Sequence, residues 1–299
     1  MQARAEHRAA CGMTMVEILV VIAVLAVLMG LLLPTLSRVR EHSGETTCAS
    51  NLRQLEAATL AYRAAWKDHL PQVAALSPFS GEDEIIGALF GGKRGELDFF
   101  GINEIGADER PLNTYLSPDA WRSDDDGDEY IDEHVPAFLC PLDRGQPAQP
   151  SAFLEEVSTM YDYIGTSYTL NDHALDSEDC WTLIPDRTPS CDATGRPGGK
   201  MPSVEDPTKT WMLGDLPIYN YQEFGDRRQR WHFDKVQVNL AFVDGHVGVG
   251  IEVPKSTALS DTSGSGTIVQ NTTKFYTFLP SRDWLEPLRL SPPWCHCGP

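Results

Sequence analysis

The sequence predicts an α+β protein in which a long N-terminal helix packs on a small antiparallel β-sheet with extended loops. Three observations predict it. Residues Ile18 to Leu33 form an unbroken apolar run, near the lower limit of roughly 17–25 residues for a membrane-spanning helix. Cys48, Leu52, Leu55, Thr59, Tyr62 and Trp66 recur every three or four residues, which is one face of a helix. Val236, Val238, Leu240 and Phe242 alternate with polar or small residues before Asp244-Gly245, as in a strand entering a tight turn.

The 299 residues are 41% hydrophobic and 22% charged, a composition that supports a core and excludes collagen-like and disordered classes. Asp and Glu number 43 against 24 Lys and Arg, giving a net charge of −19. That excess repels phosphate backbones, so no nucleic-acid partner is expected.

At the N-terminus, Arg4 and Arg8 precede the apolar run, which orients the chain with its start in the cytoplasm and the rest outside. A secretory signal peptide would end in small residues after the run, and Leu33-Pro34-Thr35-Leu36 is a poor site of that kind. The informative punctuation lies before it, in Cys11-Gly12-Met13-Thr14-Met15-Val16-Glu17. A carboxylate at the edge of a membrane helix costs up to about 3 kcal/mol and marks a functional position that calls for a cationic partner.

Gly12, an apolar residue after it, Glu17 and a long apolar helix resemble the class III signal of type IV prepilins and type II secretion pseudopilins. The resemblance implies that prepilin peptidase cuts between Gly12 and Met13 and methylates the new amine. It further implies that Glu17 accepts a contact from the Met13 amine of a neighbouring subunit. Met13 departs from the family's usual phenylalanine. Pro34 falls where many of these proteins kink the helix; proline's missing N–H also makes it a candidate helix terminator at the membrane surface. Residues 1–12 then read as leader, 13–36 as transmembrane and assembly helix, and 37–70 as the amphipathic half of that helix. Residues 71–254 read as an extracytoplasmic α+β domain, and 255–299 as a flexible Ser/Thr/Gly-rich segment and tail.

The amphipathic half is expected to run to about Leu70, where Pro71 stops it. Gly44 is its weak point, at a cost of about 1 kcal/mol relative to alanine, so a bend or local melting is expected there. Residues 71 to 136 are turn-rich and acidic. Within them the spacing of Asp124, Asp126, Asp128 and Asp132 around Gly127 makes these four candidate calcium ligands, because hard cations gather six to eight oxygens. A solvated acidic loop is the alternative. No organic cofactor is expected.

Several short phrases resemble a group of pilin-like bacterial proteins. They are Cys48-Ala49-Ser50-Asn51-Leu52-Arg53-Gln54-Leu55, Phe138-Leu139-Cys140-Pro141-Leu142-Asp143, Ser167-Tyr168-Thr169-Leu170-Asn171, and Asp206-Pro207-Thr208-Lys209-Thr210 leading to Met212-Leu213-Gly214-Asp215. His232 with Asp244-Gly245 is similar to that group's processing-associated His-x9-Asp-Gly motif, although eleven residues separate His232 from Asp244 here. His232, Asp244 and His246 lack a nucleophile motif or a companion ligand set, so no enzymatic activity is expected and hydrogen bonding that fixes the loop is the expected role.

Of seven cysteines, Cys11 leaves with the leader and six face an oxidising compartment, where an even number favours disulfides. A small ring between Cys180 and Cys191 and a longer tie between Cys48 and Cys140 both remain open. Cys295-His296-Cys297 is too sparse for zinc. Phe275, Tyr276 and Phe278 are candidates for one more strand or for packing on the domain.

Two functional expectations follow. One is a pseudopilin-like subunit of a type II secretion or type IV pilus-like filament, with prepilin peptidase, the inner membrane, copies of itself and other pilin-like subunits as partners. The other is a non-polymerising, membrane-anchored binding protein of the cell envelope that uses the same signal.

Overall fold

The computed structural model describes residues 15–76, 83–116, 134–146, 156–171, 199–219, 229–232, 235–253, 258–260, 267–269 and 276–277. The chain divides into two compact units, Met1–Ser43 and Gly44–Pro299. Helix α1 (Met15–Ala65) contributes to both.

In the first unit, position 34 lies inside α1, so Pro34 does not terminate the helix. Proline leaves one carbonyl of the preceding turn unbonded. Beside it, the Thr35 hydroxyl donates to the carbonyls of Leu31 at 3.2 Å and Leu32 at 2.8 Å, a back-bonding pattern common to Ser and Thr in helices.

In the second unit the helix is not melted at Gly44. A Cβ there would sit 2.6 Å from Leu142 Cδ2, so the glycine serves close packing. The helix ends at Ala65 and not near Leu70. Lys67 and Asp68 take left-handed φ of 53° and 70°. The Asp68 N–H donates to the Arg63 carbonyl at 2.7 Å, and Arg63 Nε donates to Asp68 Oδ1 at 2.8 Å. This corrects the end of the apolar stripe: Cys48, Leu52, Leu55, Thr59 and Tyr62 are buried, whereas Trp66 is 44% exposed.

Strands β1 (Ala74–Leu76) and β2 (Asp83–Ile85) form a small antiparallel pair. After the short helices α2 (Asn113–Leu116) and α3 (Met160–Ile164), the main sheet is built from β3 (Tyr168–Leu170), β4 (Trp211–Asp215), β5 (Gln237–Phe242) and β6 (Val247–Glu252). It is antiparallel throughout, in the order β3-β4-β5-β6. The β5–β6 hairpin turns at Asp244-Gly245, with Gly245 at φ 90°, a conformation glycine adopts without steric cost.

Cys48, Leu52, Leu55 and Tyr62 of α1 share one hydrophobic cluster with Tyr168, Leu170, Met212, Leu213 and Ala241 of the sheet. A second cluster joins Trp211, Val238, Leu240 and Phe242 to Tyr276. The core therefore extends past residue 254. Thr277 also bridges Thr210, and within the segment expected to be flexible β7 (Ala258–Ser260) pairs with β8 (Thr267–Val269).

The turn-rich middle has an anchor of its own. Arg110 is fully buried and donates to the carbonyls of Ala88, Gly91 and Ile164 at 3.0–3.3 Å. A buried guanidinium is tolerated because both terminal nitrogens donate to carbonyls that would otherwise be orphaned, while Nε has no partner among the described residues. Burial, the main cause, lowers its pKa to about 9.

Candidate functional site

Two places carry chemistry among the described residues. The first is the exposed start of α1. Every large apolar side chain from Met15 to Leu33 is exposed, and this helix is long and apolar enough to cross a membrane. Apolar surface on that scale marks an interaction site for lipid or other helices. Glu17 sits in the first turn of α1 as described. Gly12 and Met13 lie outside the described residues, as do Asp124, Asp126, Asp128, Asp132, Cys180 and Cys191.

The second is a buried polar knot where the short sequence phrases converge. Cys48 of α1 and Cys140 form a disulfide across 92 residues, with Cα atoms 5.0 Å apart. Asn51, one helical turn on, donates to the Leu139 carbonyl at 2.8 Å and so holds the loop that delivers Cys140. Further along that loop, Asp143 accepts from the N–H groups of Gly145, Met160 and Tyr161 and from the Ser167 hydroxyl, at 2.7–3.0 Å. Burial outweighs those hydrogen bonds and raises its pKa. Tyr168 of β3 donates its hydroxyl to the Cys48 carbonyl at 3.5 Å.

His232 belongs to this knot and not to the hairpin turn. Its Nε2 lies 2.8 Å from Asp215 Oδ2 at the end of β4, and both side chains are fully buried. The same oxygen accepts the Asn239 N–H of β5 at 2.7 Å. The sequence grouped His232 with Asp244 and His246; in the structure His232 pairs with Asp215 and His246 with Asp244. Asp244 instead accepts from the His246 ring Nδ1 at 2.6 Å, in the partly exposed turn, and the His246 ring stacks on Phe242 at 4.3 Å.

Burial resists a charge on His232, but the Asp215 charge and hydrogen bond outweigh it and raise its pKa. The stabilisation from this pair is therefore complete below the ordinary histidine value and fades as pH rises through the raised one. The ligand atoms of Cys48, Cys140 and His232 also lie within 4.8 Å of one another.

Asp215 and Asn51 stand inside the sequence motifs without a legible role, because their partners are distant in the chain. Glu56 carries no sequence signal at all. Glu56 on α1 is 2% exposed, and neither carboxylate oxygen has a hydrogen-bond partner among the described residues. Burial, the largest cause, and Asp244 raise its pKa to about 8 against the pull of Arg63.

What decides the reading of the N-terminus is the match of its residues to a known pattern. Residues 7–33 match the family model of the prokaryotic N-terminal methylation motif. The match spans Gly12, Met13 and Glu17 and ends at Leu33. It marks the chain as a prepilin-type substrate of prepilin peptidase, and with the apolar helix it points to membrane anchoring and a structural, pilin-like subunit. The long apolar helix and four-stranded antiparallel sheet are consistent with a pilin-like fold. No curated protein and no solved structure matches the chain.

Proposed function

We propose that this chain is a pseudopilin-like subunit of a type II secretion or type IV pilus-like filament, held in the inner membrane before assembly. The N-terminus then faces the cytoplasm and the globular unit lies outside, in a single pass. One observation carries the reading: the methylation motif leads directly into an apolar helix whose large side chains from Met15 to Leu33 are all exposed, with Glu17 in its first turn. In lipid these side chains are satisfied by acyl chains, and in a filament by the same surface on neighbouring subunits. A charge moved into that packing is penalised unless it is paired. Glu17 paired to the methylated Met13 amine of the next subunit would set the axial register.

Co-expression with prepilin peptidase tests the processing step. The mature chain is expected to begin with N-methylated Met13, and retention of Met1–Gly12 overturns the reading. Glu17→Ala is expected to be processed and anchored normally but to lose incorporation into cross-linkable assemblies. Unchanged localisation with no assembly in either form would instead favour the membrane-anchored envelope binding protein.

A further inference from the structure

We propose that the dithiol form of the second unit holds one thiophilic d10 cation, of which Zn2+ is the natural probe. Its ligands are Cys48 Sγ, Cys140 Sγ and the free ring nitrogen of His232, with Asp215 orienting the imidazole. Three observations meet here. One donor atom from each of the three residues, for His232 one of its two ring nitrogens, already lies within 4.8 Å of the others, in a fully buried setting. His232 Nε2 is committed to Asp215 Oδ2 at 2.8 Å, while Nδ1 is buried with no hydrogen-bond partner among the described residues. In the neutral ring with Nε2–H donating to Asp215, Nδ1 is the lone pair that a cation can take.

A carboxylate behind a histidine is also the usual outer support of a metal ligand, fixing the tautomer and raising the basicity of the other nitrogen. Asp215 is itself fixed by the Asn239 N–H, and the Cys140 loop by Asn51, so the frame does not depend on the sulfur–sulfur bond alone. Two thiolates and an imidazole suit zinc, which completes a tetrahedron with a fourth ligand.

Metal and disulfide exclude each other, and the exchange balances. Loading releases two protons as two thiols become thiolates on Zn2+. Closure by a small disulfide oxidant takes two electrons from the thiolates and two protons from solvent, yielding the Cys48–Cys140 bond, free Zn2+ and two oxidant-derived thiols. The cation would hold this pair together and shield it from Cys180, Cys191, Cys295 and Cys297 until the bond closes. The proposal is independent of whether the chain polymerises.

The test uses the full detergent-solubilised chain with Cys11, Cys180, Cys191, Cys295 and Cys297 changed to alanine, reduced by a phosphine and titrated with Co2+. One equivalent should give a sulfur-to-cobalt charge-transfer band that Zn2+ bleaches. The band should be lost after oxidation with oxidised glutathione. His232→Ala should abolish one-to-one binding, and Asp215→Asn should weaken it about 10- to 100-fold while keeping the band. A reduced chain without the band, or unchanged affinity in His232→Ala, overturns the site; unchanged affinity in Asp215→Asn overturns the positioning role. If His232→Ala fails to fold, X-ray absorption of the zinc-loaded parent decides. Imidazole scattering beside two sulfurs supports the proposal, and a shell without imidazole overturns it.

Discussion

The two units handle polarity in opposite ways. Unit Met1–Ser43 turns its apolar side chains outward along α1, whereas unit Gly44–Pro299 turns Glu56, Arg110, Asp215, His232 and Asn239 inward. The first must draw its stability from a medium other than water. The second is held by specific internal partners, so its weak points are single groups.

The largest expected effect in the second unit comes from its covalent tie. Replacing Cys48 and Cys140 together by alanine frees a 92-residue separation, and the chain-entropy estimate for such a loop is roughly 4–5 kcal/mol. A lowered urea midpoint of the solubilised chain, with the helicity of residues 15–43 retained, is the expected result. Next, Arg110→Leu orphans the carbonyls of Ala88, Gly91 and Ile164 and should cost roughly 3–4 kcal/mol in the same assay.

The first unit should ignore both changes and respond to a charge instead. Leu25→Lys places an ammonium in the middle of the apolar run, at about 3 kcal/mol of insertion free energy, read as a falling membrane-integrated fraction.

Glu56 sharpens the contrast because its buried carboxyl has no hydrogen-bond partner among the described residues. Burial pushes its folded pKa up to about 8, above the ordinary glutamate value of 4.5, so folding favours the protonated form and stability is lost as pH rises between those values. Glu56→Gln should remove this dependence, with the wild type losing about 2–3 kcal/mol more than the variant from about pH 5 to pH 8. Parallel pH curves would show that Glu56 does not titrate in that window.

The smallest effect concerns the acidic run, proposed from sequence to bind calcium through Asp124, Asp126, Asp128 and Asp132. Millimolar calcium should raise stability by about 1 kcal/mol if the affinity is that of extracellular modules. Converting all four to asparagine should abolish the increment.

How much was legible follows from the range of each interaction. The buried helix stripe and the β5–β6 hairpin were readable because periods of 3.6 and 2 are local, and Asp244-Gly245 announces its own turn. The early end at Ala65 was hidden because Lys67 and Asp68 adopt left-handed φ without being glycine, held by Arg63. His232 was assigned to the wrong neighbours for a different reason. The motif resemblance pointed to Asp244, whereas the fold brings it Asp215, 17 residues upstream. Arg110 and Glu56 have no sequence signature, since nothing local distinguishes a buried charge from a solvated one.

Cys48 is the first hydrophobic core side chain met along the chain from its N-terminal end. A mechanical load applied to the helix from that side therefore reaches a covalent junction before it reaches the van der Waals contacts of Leu52, Leu55 and Tyr62. The sulfur link shunts the tension into the Cys140 loop, and the packed helix–sheet contacts beyond it are spared from peeling one by one.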